Sequence, residues 1–340
     1  MMSFAPFPCG VLALAALQAT PAPVATMKAA RIHAFGAKLD TVRVEDVPRP
    51  APKAGEVLVR VHASAVNPVD WKIAGGLLRA LEKSLPYTLG CDVSGVVEEL
   101  GPEVEGLAKG DAVYAYSNLM RGGAFAEYVA LPANEVAEKP KSVDHAHAAA
   151  VPLAALTAWQ ALFDTAKLES GQTVLVHAGA GGVGHFAVQL AKWKGAKVIA
   201  TASKDKLAFV KELGADVVID YRAQAFEEVV RDADVVFDMV GGETQARSYG
   251  VLKKGGFLVS IVGPPSAKEL EARGLRGAGI LLKPDAAQLK ALAELVDTGK
   301  VKPHVSASFA LADAAKALAR SKEGHVVGKI AVEVVPTERK

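Results

Sequence analysis

The stretch Val174-Leu-Val-His-Ala-Gly-Ala-Gly-Gly-Val-Gly184 limits the fold more than any other part of this chain. A short apolar, β-branched run ends in clustered glycines and leads into residues 186–193, which read as helix. Gly179, Gly181 and Gly184 stand at G-x-G-x-x-G spacing. That pattern is weak alone, because a chain with 31 glycines produces it by chance. Its setting gives it weight: a strand before, a helix after, and further strand–helix alternation downstream. Each glycine has a physical reason in a dinucleotide site. One permits the tight turn, one lets the backbone approach a pyrophosphate, and one lets helix and strand pack closely. The phosphates then rest on free N–H groups at the positive end of the helix. Gly179, Gly181, Gly182, Val183 and Gly184 are the contact residues this predicts. The other reading is a tight strand–helix turn with no ligand.

The glycine turn belongs to a longer alternation. Strand-like runs at 174–177, 197–200, 217–220, 235–238 and 258–262 are separated by helical stretches, with a further strand near 278–282. Such spacing predicts βαβ units and a doubly wound parallel sheet. Residues 27 to about 148 have a different texture, with short β-branched runs such as Glu56-Val-Leu-Val-Arg-Val-His62 parted by glycine and proline. After 283 come helical periodicity at 285–297, a second helix at 311–319 and a last strand at 329–335. The expected divisions are 1–26, 27–148, 149–283 and 284–340.

Composition narrows the function. A length of 340 residues exceeds what one core normally organises. Lys+Arg 39 against Asp+Glu 37 leaves no general electrostatic claim on nucleic acid or an anionic membrane. Two cysteines, Cys9 and Cys91, exclude a disulfide scaffold and a four-cysteine zinc lobe. Residues 1–26 carry no Lys, Arg, Asp or Glu, and their apolar run at 11–17 is short of the roughly 20 residues of a spanning helix. A start at Met27, a disordered tail, or an export signal lacking its basic n-region are the readings open for that segment. The protein is expected in the cytoplasm, or exported if the segment acts as a signal.

The second strand bears on the cofactor. An acidic residue at its end would bond an NAD ribose. Here the strand runs into Thr201-Ala-Ser-Lys-Asp-Lys206. Ser203, Lys204 and Lys206 suit a 2′-phosphate through charge-assisted bonds, which predicts NADPH. Asp205 dissents, and the lysines also fit a solvated helix start.

At this point the residues resemble a family. Asn67-Pro-Val-Asp70, Pro86-Tyr-Thr-Leu-Gly-Cys-Asp-Val-Ser-Gly-Val-Val97, Gly110-Asp-Ala-Val-Tyr114, Gly123-Ala-Phe-Ala-Glu-Tyr128, Leu156-Thr-Ala158, the glycine turn and His325-Val-Val-Gly-Lys-Ile330 occur in order. Together they resemble the zinc-free quinone oxidoreductase and alkenal/enone reductase branch of the medium-chain dehydrogenase/reductase superfamily. The resemblance covers Met27 to about Val335. It implies a GroES-like, β-rich catalytic domain, split in sequence, around a Rossmann domain.

Zinc alcohol dehydrogenases of that superfamily carry ligands where Asn67, Cys91 and about Leu153 stand here, and one thiol beside an amide and an alkyl chain is not a zinc site. His145 and His147 form His-x-His just before a helix, with no ligand partners at suitable spacing. His177 and Cys91 read as packed core residues. Without a Lewis acid, hydride transfer suits an acceptor already activated by its own carbonyl. The resemblance therefore implies an NADPH-dependent reductase of quinones or α,β-unsaturated carbonyls. It puts Asn67 beside the nicotinamide and the substrate carbonyl as a hydrogen-bond donor, and Thr157 near the nicotinamide ribose. It also implies that Tyr221 packs on the 2′-phosphate held by Ser203 and Lys206, that Val240 and Val262 line the cofactor, and that Lys329 touches it. Solvent, Tyr114 and Tyr128 are the proton routes left open, with both tyrosines equally readable as core. A zinc alcohol dehydrogenase and a non-catalytic NADPH-binding protein are the rival readings. In relatives the sheet edge pairs across a twofold axis, so a homodimer is expected, with strands 258–262 and 278–282 at the edge.

Overall fold

The computed structural model describes residues 1–2, 25–36 and 38–335. Residues 3–24 of the charge-free segment lie outside the described residues, and with them the readings offered for it.

The first eight strands are β1 (Thr26–Ile32), β2 (Val42–Pro48), β3 (Glu56–Val66), β4 (Tyr87–Thr88), β5 (Asp92–Leu100), β6 (Ala112–Tyr116), β7 (Tyr128–Pro132) and β8 (Val136–Glu138). All their mutual pairings are antiparallel. β1 lies between β2 and β4, while β3, β5, β6 and β8 follow one another in a larger sheet, with β7 also on β3. Val57, Val59 and Val61 of β3 alternate onto one buried cluster with Val93, Val97, Val113 and Leu131. This is the period-2 pattern of a sheet with one core-facing side.

A parallel sheet follows: β9 (Thr173–Val176), β10 (Lys197–Ala202), β11 (Val217–Asp220), β12 (Ala233–Asp238), β13 (Leu252–Ser260) and β14 (Arg276–Gly279). Their order is β11-β10-β9-β12-β13-β14, every pair parallel. The strand order turns back between β9 and β12, which is the switch point where open α/β sheets bind ligands at the strands' carboxyl ends. The central strands are apolar on both faces because both faces are covered. Val174 and Val176 enter one core with Phe186, Val188 and Leu190, and Leu175 enters the opposite core with Ile199, Val236 and Leu258.

Helix Ala286–Asp297 starts on Asp285, whose carboxylate accepts from Gln288 N. It buries Leu289, Leu292 and Val296 in the same core as Val174 and Phe186. The chain crosses to the first sheet after that, as β15 (Val305–Ala310) and β16 (Lys329–Glu333), and β16 pairs antiparallel with β3. Residues 258–262 fall in or just after β13, which is flanked on both sides. The edge strand at that end of the sheet is β14, and it begins at Arg276 rather than 278. Helix Pro152–Trp159 runs on as a π-helical segment, Gln160–Thr165, which the sequence did not suggest. Among the described residues, no helix is long and apolar enough to cross a membrane.

Candidate functional site

The glycine turn closes β9 onto helix Gly184–Trp193. The left-handed residue of the turn is Ala178, at φ 53°, and not a glycine. Its amide is held by Thr201 Oγ1 at 3.2 Å. The glycines are required for space. A Cβ on Gly184 would lie 2.1 Å from the Ala178 carbonyl oxygen, and one on Gly179 would lie 3.0 Å from Ala200 Cβ. His177 sits beneath the turn, hydrogen-bonded to Thr201 Oγ1 (3.3 Å) and Ser248 Oγ (2.9 Å) with its ring edge-on to Phe226. Burial pushes its imidazole down to about 4, so it is a neutral packing group. No side chain caps the helix N-terminus and no acidic residue occupies its first turn. Gly181, Gly182 and Val183 are half-buried beside it, and the positive end of the helix dipole is left for an anion.

The C-terminal motif is fastened to this turn. Gly328 N donates to the Ala180 carbonyl at 2.9 Å. The stem of Lys329 then passes Gly182, where a Cβ would come 3.3 Å from Lys329 Cδ. Its ammonium donates to Asn67 Oδ1 (2.5 Å) and to Asp92 Oδ2 (3.1 Å). Asn67 Nδ2 donates to the same Asp92 oxygen at 2.9 Å and to the Ala65 carbonyl at 3.3 Å. Both amide hydrogens are therefore aimed at protein oxygens, so the donor role toward a substrate carbonyl expected of Asn67 is already taken in this arrangement. The other Asp92 oxygen accepts from Leu153 N at 2.6 Å. Leu153 lies in helix Pro152–Trp159, and its carbonyl accepts from Thr157 Oγ1 at 2.6 Å. Asn67, Asp92, Thr157 and Lys329 are all buried.

A second buried carboxyl flanks the cluster. Asp70 Oδ2 accepts from Asn67 N at 2.7 Å, and Cys91 Sγ lies 3.9 Å from Asp70 Oδ1. Burial, reinforced by the nearby Asp92 charge, pushes the Asp70 carboxyl up to about 7. Burial and the same carboxylates push the Cys91 thiol up as well. That is the state of an unreactive, protonated thiol.

The remaining predicted residues gather at the carboxyl ends of the parallel strands. Ser203 and Lys206 are buried just beyond β10, and Tyr221, 49% exposed, is tied to β10 by its N–H to the Ala202 carbonyl. Lys206 Nζ donates to the His325 carbonyl at 2.9 Å. The Ser203 hydroxyl bonds the Asp205 carboxylate and holds it below the usual range. The exposed cations at this end are Lys204 and Arg222. Val240 (52% exposed) and Val262 (43% exposed) present apolar side chains beyond β12 and β13. Asp238 sets both turns. It accepts from Val240 N (3.0 Å), Gly241 N (2.9 Å) and Ser260 Oγ (2.9 Å), and Ser260 Oγ accepts from Val262 N.

Two expected groups are not brought to the site. Tyr114 is fully buried and its hydroxyl donates to the Leu289 carbonyl, which matches the core alternative. Tyr128 lies under the Arg49 guanidinium, 4.1 Å from its ring centroid. His145 and His147 stand inside the short helix His145–Ala149 rather than before it, and they face different partners: Ser94 Oγ for one and Asp144 for the other. Asp92 and Asp238 were missed by sequence reasoning. Both sit among apolar strand residues, and a lone carboxylate in a buried strand was the signal available.

Known proteins agree with this geometry. Residues 53–141 match the family described as Alcohol dehydrogenase GroES-like domain, and residues 213–332 match Zinc-binding dehydrogenase. The chain is 37% identical over 325 residues to the 2-methylene-furan-3-one reductase of Solanum lycopersicum, covering 91% of this chain and 80% of that one. It is 37% identical over 312 residues to the chloroplastic NADPH-dependent alkenal/one oxidoreductase of Arabidopsis thaliana, covering 88% and 77%. The quinone oxidoreductase structure from Coxiella burnetii superposes with a TM-score of 0.86 at 36% identity, over 91% of this chain and all of that one. The chain belongs to the medium-chain dehydrogenase/reductase superfamily, in its zinc-free quinone oxidoreductase and enone reductase branch. It is an oxidoreductase with a GroES-like domain and a Rossmann-like domain for a nicotinamide cofactor.

The name of the second matched family implies zinc, and the residues do not fit it. Asn67 and Cys91 offer an engaged amide and a protonated thiol. The Lys329 ammonium already bonds Asn67 and Asp92, and its charge opposes a dication there.

Proposed function

We propose that this chain reduces quinones or α,β-unsaturated carbonyl compounds with NADPH, without zinc, as a homodimer. The buried Lys329–Asn67–Asp92 cluster fastened to the glycine turn carries this reading, because it couples the dinucleotide cradle to the place where zinc ligands stand in alcohol dehydrogenases. The bound cofactor would supply the hydride. The chain's part is to hold and orient. Gly179 to Gly184 and the open helix end receive the pyrophosphate. Lys204 and Arg222 offer charge to a 2′-phosphate that Ser203, Lys206 and Tyr221 surround, while Val240 and Val262 shield the cofactor from water. Thr157, fixed by its own helix carbonyl, meets the ribose. Lys329 has a third N–H beyond the two used by Asn67 and Asp92, suited to an oxygen on which negative charge grows. With Tyr114 engaged by Leu289, solvent is the simplest proton source for the enolate or quinol. β14 offers the exposed edge for twofold pairing.

The test is oxidation of NADPH and NADH by a quinone and an enal, with zinc analysis and light scattering on the same sample. Turnover of either acceptor with NADPH preferred is expected. No turnover of either, or stoichiometric zinc that restores alcohol oxidation, overturns the activity, and a monomer mass overturns the dimer.

A further inference from the structure

We infer that Asp92 is a positioning residue for hydride transfer: one buried carboxylate sets Asn67, Lys329 and the helix carrying Thr157 relative to one another. The inference rests on the function proposed above.

Asp92 opens β5 and is completely buried. Each of its oxygens has a separate task. Oδ1 accepts from Leu153 N, in the first turn of helix Pro152–Trp159. Oδ2 accepts from Asn67 Nδ2 and from Lys329 Nζ. The three donors come from three parts of the chain: the residue before helix Pro68–Ala74, the first turn of the Thr157 helix, and the start of β16. One of these parts, the start of β16, touches the glycine turn, and a second carries Thr157. Lys329 runs along Gly182, and Thr157 hangs from the Leu153 carbonyl. Buried and hydrogen-bonded on both oxygens, Asp92 is bound tightly enough to transmit position rather than merely fill space. It also decides the state of Asn67. A carboxylate at 92 accepts only, so the Asn67 amide must turn its nitrogen to Asp92 and its oxygen to Lys329. Asp92 itself lies behind Asn67 and Lys329 and reaches the reacting atoms through them.

The variant D92N is isosteric and tests this. Its amide keeps one oxygen for Leu153 N and loses the second acceptor, so Asn67 and Lys329 lose their common anchor. The measurements are kcat and KM for an enal, the isotope effect with 4-deuterated NADPH, and the fluorescence anisotropy of bound NADPH. D92N is expected to lower kcat on the order of 100-fold, as a misplacement of about 1 Å does. The isotope effect should rise as hydride transfer becomes limiting, and the bound nicotinamide should lose anisotropy. In the N67A background the fold-cost of D92N should shrink, because the residue acts partly through Asn67. A purely structural role would reduce the amount of folded protein and leave the isotope effect and anisotropy unchanged. Unchanged values for both in D92N, or an equal fold-cost of D92N in wild type and N67A, overturn the inference. If D92N does not fold, D92N/K329M, which removes both buried charges, carries the same readouts. A wild type that binds NADPH but reduces no acceptor defeats the proposed activity alone, since anisotropy still reports on Asp92.

Discussion

Lys329 donates to Asn67 Oδ1 across 2.5 Å, although the two residues are 262 positions apart in sequence. The bond brings the last strand of the chain to the first loop of the catalytic sheet. It also makes Lys329 a buried basic residue whose ion-pair partner is Asp92 at 3.1 Å.

K329M should therefore cost stability as well as activity. Removing one member of a buried pair strands the other, at about 3–5 kcal/mol. Urea unfolding should show a loss in that range for K329M and partial recovery in D92N/K329M. Equal stabilities of K329M and wild type would contradict a stabilising Lys329–Asp92 pair.

Asp70 gives a pH signature. Its carboxyl is raised in the folded protein from 3.8 to about 7. The folded state thus binds this proton more tightly than the unfolded state. Its contribution is fully present below the unfolded value and is lost as pH rises toward 7, on the order of 4 kcal/mol in all. D70N keeps an acceptor for Asn67 N and cannot ionise. Unfolding measured from pH 4 to 8 should show D70N gaining on wild type as pH rises. A constant difference between them contradicts the assignment.

G184A places a methyl carbon where 2.1 Å separates it from the Ala178 carbonyl oxygen. The turn must open to admit it, at about 1–3 kcal/mol. NADPH affinity, followed by fluorescence titration, should fall at least roughly tenfold, the equivalent of about 1.4 kcal/mol. G181A meets only its own loop, with 3.3 Å to the Ala178 oxygen, and should be the milder change in the empty protein.

Cofactor preference should depend on the exposed cations at the end of β10. Lys206 is engaged with His325, and Ser203 with Asp205. The double variant K204A/R222A should raise KM for NADPH roughly tenfold, the worth of one charge-assisted bond of about 1.5–3 kcal/mol, and leave NADH nearly unaffected. Loss of both cofactors alike would mean that these residues support the fold and not the phosphate.

What could be read in advance follows a physical divide. The parallel sheet was legible because β9, β10 and β12 carry short apolar, mostly β-branched cores buried on both faces, Val174–Val176, Val198–Ala200 and Val235–Phe237. β15 was not, because Val-Ser-Ala-Ser-Phe-Ala alternates small polar and apolar residues with little β signal. At the site, spacing located the glycine turn and the close packing its glycines allow, but not the left-handed Ala178. Family resemblance reached Asn67, Thr157 and Lys329. It could not show how they are joined, because Asp92 acts through hydrogen bonds from residues 67, 153 and 329. The π-helical segment was equally hidden: Gln160 is held by the Lys283 backbone and by Gln288, and those contacts span more than 120 positions.

The position of β16 beside β3 governs the order in which the protein can be built. Domains assemble as the chain emerges from the ribosome, N-terminal parts first. The glycine turn and its sheet can be complete while β3 still lacks its neighbour, leaving a strand edge open and Asp92 without its cation. A chain stalled or clipped just before Gly328 would hold a dinucleotide cradle with nothing to connect it to Asn67. The connection is made by residues among the last to be built, Gly328 on Ala180 and Lys329 on Asn67.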